Sequence, residues 1–289
     1  MNPRWIALAA VNVAAVIFGS TALFGKLAVS PLWIVAGRGA FAALALLLLG
    51  VARGVALRGS HAGGARIAAT GALLMLHWVT FFFSVQQAGV AVATLTFATF
   101  PLFTAMIDAA SFRRWPTPVE LGSGAAIVYA VLLLAGRGLP ATALAGEGAA
   151  VGLLSAICFA AFSVGSQRLA ARVDAIALSL YQNAVVAVLL LPVLPFAQPS
   201  PRGLDWAAIA ALGVVATALM HQLYFFALKH LPAAVCGGFV ALEPVYAILF
   251  AALLFSDGIA PVTGLSGTLI VGASILLLLR SKPQPQAIP

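Results

Sequence analysis

Two stretches decide how this chain is built: TFATFPLFTAMI at residues 96–107 and ALEPVYAILFAALLF at residues 241–255. Each is an apolar run carrying a proline, Pro101 or Pro244, and they differ at the residue before it, Phe100 in one and Glu243 in the other. When the prolines are superposed, the chain beyond them matches without a gap. Pro118-Val119 falls on Pro261-Val262, Ser123-Gly124 on Ser266-Gly267, and Ile127 on Ile270. Upstream, with a shift of one residue, His77 stands opposite His221, each ahead of an aromatic run (Phe81 to Phe83, Tyr224 to Phe226). Arg38-Gly39-Ala40 lies opposite Gln182-Asn183-Ala184, and Phe18 with its following small residues parallels Phe159-Ala160-Ala161. The sequence therefore reads as a repeat.

The composition sets where such a repeat lives. The chain has 63% hydrophobic and 8% charged residues, against about 25% charged in a soluble domain, so it cannot cover a water-facing surface. Continuous Ala- and Leu-rich runs of ~20 residues, without two-residue alternation, predict membrane-spanning helices and exclude a β-barrel. Ten runs follow: 5–25, 32–52, 67–86, 89–110, 117–136, 148–171, 174–196, 205–228, 232–255 and 261–280. The first is too long for the core of a signal peptide and is read as a span. The repeat units are 1–140 and 145–282, with 283–289 expected as a disordered tail. Five spans per unit is odd, so the second unit is expected to lie inverted, a recurrent plan among secondary transporters.

The net charge of +8 belongs to the connections between spans and does not call for nucleic acid. With the N-terminus in the cytoplasm, eleven basic residues fall on the cytoplasmic side and three (Lys26, Arg137 and Arg202) on the other. That bias predicts both termini inside. Cys158 and Cys236 lie in apolar runs without metal-ligand spacing and read as small core residues; neither a metal nor a cofactor is expected.

Ionisable groups inside a span face a bundle interior or a water-filled cavity. His77, His221 and Glu243 are the three expected there. Arg38 stands about two turns into its span, where it either faces inward or snorkels to the outer interface. Glu243-Pro244 predicts a bent, partly hydrated ninth span, since a proline in a helix interior leaves a carbonyl one turn upstream without its donor. Glu243 reads as a proton-coupling site, a contact for a substrate amine, or a protonated structural group. Aromatics gather at the same depth, which suits an amphipathic organic solute. A bare ion would call for rings of oxygen ligands, and a phosphate-bearing solute for clustered basic residues.

VIFGSTALFGK (16–26), RGAFAAL (38–44) and FVALEPVYAILFAALLFSDGIAPVTGLSGTLIVGASILLL (239–278), with the two proline-bearing spans, resemble the drug/metabolite transporter superfamily and its EamA-type exporters. The aromatic centre around His77-Trp78 is similar to bacterial aromatic amino-acid exporters. That resemblance implies an all-α protein of ten transmembrane helices in two inverted five-helix repeats. It implies export from the cytoplasm across the plasma membrane, the inner membrane of a bacterium, by alternating access around a cavity between spans 1, 3, 4, 6, 8 and 9. Carried onto this chain, the cavity residues are Phe18, Ser20, His77, Trp78, Phe81, Phe97, Phe100, Phe159, Ser163, His221, Tyr224, Glu243 and Tyr246, with helix bends at Pro101 and Pro244. The expected partners are the bilayer and a small amphipathic substrate, an amino acid, with the protein a monomer.

Multidrug or other metabolite efflux is the alternative within transport. An intramembrane lipid-modifying enzyme is the alternative from another class. It is disfavoured by the lack of a nucleophile set beside a His and an acid, of a metal-ligand cluster, and of a sizeable soluble loop.

Overall fold

The computed structural model describes residues 3–55, 63–111, 113, 115–137, 143–170, 172–231, 236, 239–240, 242–255 and 260–280. The expected tail and the start of the ninth span, 232–235, lie outside them. The first repeat contains α1 (Pro3–Thr21), α2 (Pro31–Ala52), α3 (Gly64–Phe97), α4 (Phe100–Ser111) and α5 (Pro118–Arg137). The second contains α6 (Ala143–Ala170), α7 (Ala175–Leu190), α8 (Leu204–Gly213), α9 (Met220–His230), α10 (Glu243–Phe255) and α11 (Pro261–Arg280). Short 3₁₀ segments extend α1 (Ala22–Lys26) and α7 (Leu191–Phe196), and a π turn, Val214–Leu219, joins α8 to α9.

Among the described residues, six helical stretches are individually long and apolar enough to cross a bilayer. Leucines such as Leu48 (62% exposed) and Leu253 (79%) face outward, where lipid is the solvent that suits them.

α3 holds two spans. A straight helix would set residues 77 and 97 about 30 Å apart. Their rings lie 4.9 Å apart, so the chain doubles back between them. The reversal falls at Gly89, whose φ of 84° and ψ of 168° are open to glycine and strained for other residues. In the second repeat the eighth span ends at Leu231, in extended conformation.

The fourth span is broken at Ala98-Thr99 and resumes at Phe100; the ninth is broken at Leu242 and resumes at Glu243. The same hydrogen bond marks both restarts, Leu102 N–H to Thr99 O at 3.0 Å and Val245 N–H to Leu242 O at 3.0 Å. Pro101 and Pro244 are thus the second residues of α4 and α10. There a missing N–H costs nothing, because the first turn has no partner for it. The expected bend is a break that ends just before each proline, with the proline opening the next helix.

Packing follows the repeat. α2 meets α7, and α5 meets α11, each against its own counterpart. α3 against α6 and α7 is mirrored by the eighth span (α8 and α9) against α1 and α2; α4 on α6 is mirrored by α10 on α1. The crossings match at single residues. A Cβ on Gly71 would meet Gln182 O at 3.1 Å and Val185, and one on Gly213 would meet Arg38 O and Phe41 Cβ, both at 2.7 Å. Gln182 and Val185 are the repeat equivalents of Arg38 and Phe41, so one pseudo-twofold axis relates both crossings.

Candidate functional site: a charged, aromatic-walled cavity between the repeats

Near the centre of the bundle a cavity of about 10 Å³, room for roughly one water, is lined by Phe18, Thr21, Arg38, His77, Trp78, Phe81 and Glu243. These residues come from both repeats, six from the first and Glu243 from the second.

Arg38 is 2% exposed, so it faces inward and does not snorkel. Its guanidinium lies 3.7 Å from the centre of the Trp78 ring. Its Nε donates to Thr217 Oγ1 at 3.0 Å, and Thr217 Oγ1 donates in turn to Leu212 O at 2.8 Å. That last bond spans five residues, the spacing of the π turn, which presents Thr217 to Arg38. Nη2 has no protein partner. A charged hydrogen bond contributes about 1.5–3 kcal/mol and a desolvated cation–π contact about 2. Burying the ion costs several kcal/mol, so these contacts leave Arg38 in need of an opposite charge.

Glu243 supplies that sign. It is 1% exposed, opens α10 directly after the break, interacts electrostatically with Arg38, and has Oε2 without a protein partner. Arg38 and Glu243 share the cavity while each retains an unused polar atom.

The two histidines sit differently. His77 Nδ1 lies 2.8 Å from Ser155 Oγ and 3.2 Å from Ser155 O, while Ser155 Oγ donates to His77 O at 3.1 Å. With that hydroxyl proton committed, Nδ1–H is the donor and Nε2 keeps its lone pair. His221 stacks beside Trp78 at 6.0 Å with rings 14° from parallel, and its Nδ1 has no partner. Behind the cavity Phe97, Phe100 and Phe159 form a cluster with centroids 5.0–5.3 Å apart, and His77 contacts two of them at 4.9 Å. Such edge and offset contacts add about 0.5–1.5 kcal/mol per pair beyond burial.

The chain belongs to the EamA-like transporter family. The family's sequence profile matches twice, over residues 5–136 and 146–279, and so covers both repeats. A solved structure entitled "Crystal structure of protein" is similar over 96% of this chain and 98% of its own, with a TM-score of 0.71 at 22% identity, a likeness of fold. No curated protein matches. EamA-like proteins are membrane transporters and not enzymes, so the protein is a multi-pass transporter of the drug/metabolite type whose partners are a small-molecule substrate and the bilayer.

Within this EamA-like protein the residues singled out from sequence separate into three groups. Phe18, His77, Trp78, Phe81 and Glu243 line the cavity, and Phe97, Phe100, Phe159, His221 and Tyr224 are buried in the surrounding core. Ser163 lies beside Tyr224. Two face other tasks: Ser20 Oγ donates to Ile17 O of its own helix, and Tyr246 packs against Gly19 where α10 crosses α1. Arg38, Thr21, Thr217 and Ser155 join them. A signal existed for the last two, since each precedes a chosen residue on its own helix by four positions: Thr217 before His221, Ser155 before Phe159.

Proposed function

We propose that this transporter exports apolar amino acids, the aromatic ones foremost, and related small metabolites from the cytoplasm by alternating access. The observation that carries this reading is the cavity itself, which sets one cation and one carboxyl group among aromatic rings at the seam between the repeats. Aromatic walls suit an apolar side chain, and the two opposite charges suit a solute that is amphipathic and neutral overall.

Two halves that cross at matched glycines support alternating access. Each packing of one half has a mirror packing of the other at similar energy, and exchanging them moves the opening from one side to the other. In this reading both termini face the cytoplasm, the membrane is a bacterial inner membrane, and the units are 1–140 and 145–282. Phe18, His77, Trp78, Phe81 and Glu243 form the substrate cavity. The protein works as a monomer, because the cavity is complete within one chain.

The test is uptake of a radiolabelled amino-acid panel into liposomes containing the purified protein, with and without a pH gradient, for the wild type and Glu243→Gln. Saturable uptake of phenylalanine, tryptophan or leucine supports the reading. Stimulation by the gradient that disappears in Glu243→Gln alone assigns proton coupling to Glu243. Folded protein that carries no amino acid overturns the amino-acid reading and favours drug efflux.

A further inference from the structure

We propose that Arg38 and Glu243 are the two poles of a zwitterion site. The substrate's α-carboxylate bonds the free Nη2 of Arg38, and its α-ammonium bonds Oε2 of Glu243. This deepens the amino-acid reading and rests on it.

Both atoms belong to side chains that are almost fully buried, both lack a protein partner, and both side chains line the same cavity. Of the buried side-chain polar atoms without a partner among the described residues, only these two belong to residues lining the cavity, and a guanidinium with a carboxyl group points to a ligand that carries both complements. The setting of Arg38 fits this role. Thr217 holds Nε, and Thr217's own proton is spent on Leu212 O, so the hydroxyl is an acceptor fixed in place. Trp78 covers the guanidinium face. What remains open is an Nη edge, the edge with which arginine recognises carboxylates. On the other side, the chain break before α10 sets Glu243 at the cavity.

The charge balance selects the ligand class. A zwitterion neutralises both poles at once and adds no net charge to the membrane interior. An amine without a carboxylate leaves the buried arginine unmatched, and an acid without an amine leaves the glutamate unmatched. The substrate's side chain then lies against the aromatic lining, Phe18, Trp78 and Phe81.

The experiment measures uptake of tritiated L-phenylalanine into wild-type proteoliposomes against three competitors: unlabelled L-phenylalanine, phenethylamine (no carboxylate) and 3-phenylpropionate (no amine). The single-charge compounds are expected to compete at least about tenfold more weakly than L-phenylalanine. Equal competition by either one overturns the proposal without touching the transport reading. Absence of uptake of any amino acid overturns the transport reading and the site with it.

Scintillation-proximity binding to purified Arg38→Gln and Glu243→Gln gives the second arm. Arg38→Gln loses L-phenylalanine while still binding phenethylamine, and Glu243→Gln loses it while still binding 3-phenylpropionate. Undiminished binding of L-phenylalanine to either variant contradicts the assignment. Should either variant fail to fold, the wild-type competitor series decides alone.

Discussion

The fourth and ninth spans begin alike and end with different tasks. The fourth and ninth spans are both interrupted, and each second segment starts with a residue followed by proline: Phe100-Pro101 in one repeat, Glu243-Pro244 in the other. The restart hydrogen bond is the same in both. Yet Phe100 stacks on Phe97 at 5.3 Å within the aromatic cluster, whereas Glu243 faces the cavity. A second substitution runs the other way. Arg38 of the first repeat is answered by Gln182 in the second, which donates to Thr70 and Ser166 at 2.9 Å and is not among the residues lining the cavity. The shared backbone therefore builds the scaffold, and the places where the repeats part company build the site. One pole of the site comes from each half.

Making the halves alike is the most direct way to break that comparison. Glu243→Phe, which copies the first repeat, is expected to reduce transport at least about 100-fold in proteoliposomes, since the proposed contact to the substrate ammonium is removed and Arg38 loses the carboxyl group it interacts with. Folding should survive, as Phe100 occupies the equivalent position. Transport within a factor of two or so of wild type would remove the site from Glu243.

The scaffold predicts equal effects at its two matched crossings. Gly71→Val and Gly213→Val each force a branched side chain against the facing helix, at about 1–3 kcal/mol for overpacking. The apparent unfolding midpoint should fall by several degrees in both, while Gly272→Ala, in open space, leaves it unchanged. A shift at only one of the crossings would break the symmetry argument.

Arg38→Lys keeps the charge but loses the Nε bond to Thr217 and the guanidinium contact with the Trp78 ring, so flux should fall about tenfold. Thr217→Val, which frees Nε alone, should fall less, by a few-fold, through a higher KM. Ser20→Ala should lie within about twofold of wild type, because that hydroxyl is already spent on its own helix.

Much of the architecture was legible before any coordinates. Pro118/Pro261 and Ser123/Ser266 align because proline opens a helix and because small residues recur where α5 and α11 meet. The breaks at 98–99 and 242 were harder to read. A proline inside an apolar run is compatible with a kinked continuous helix or with the first turn of a new one, and only the backbone decides between them. Gly89 and the π turn were not legible either, since neither a left-handed glycine nor an extra residue in a turn disturbs hydropathy. For Arg38, sequence gives depth in the span but not rotation about the helix axis, so inward and snorkelling orientations look the same until Trp78 and Thr217 are placed beside it. For Ser20 and Tyr246 too, sequence gives depth but not rotation, and the Ser20 hydroxyl turns to its own helix while Tyr246 packs against Gly19.

Counterflow is the measurement that bears most directly on two inverted halves exchanging access to one central site. Proteoliposomes loaded with unlabelled L-phenylalanine should accumulate external tritiated L-phenylalanine transiently above equilibrium, because the internal unlabelled solute competes with the entered label for the inward-facing site and so slows its exit. Uptake that is identical in loaded and empty vesicles and does not saturate would contradict alternating access and indicate a pore.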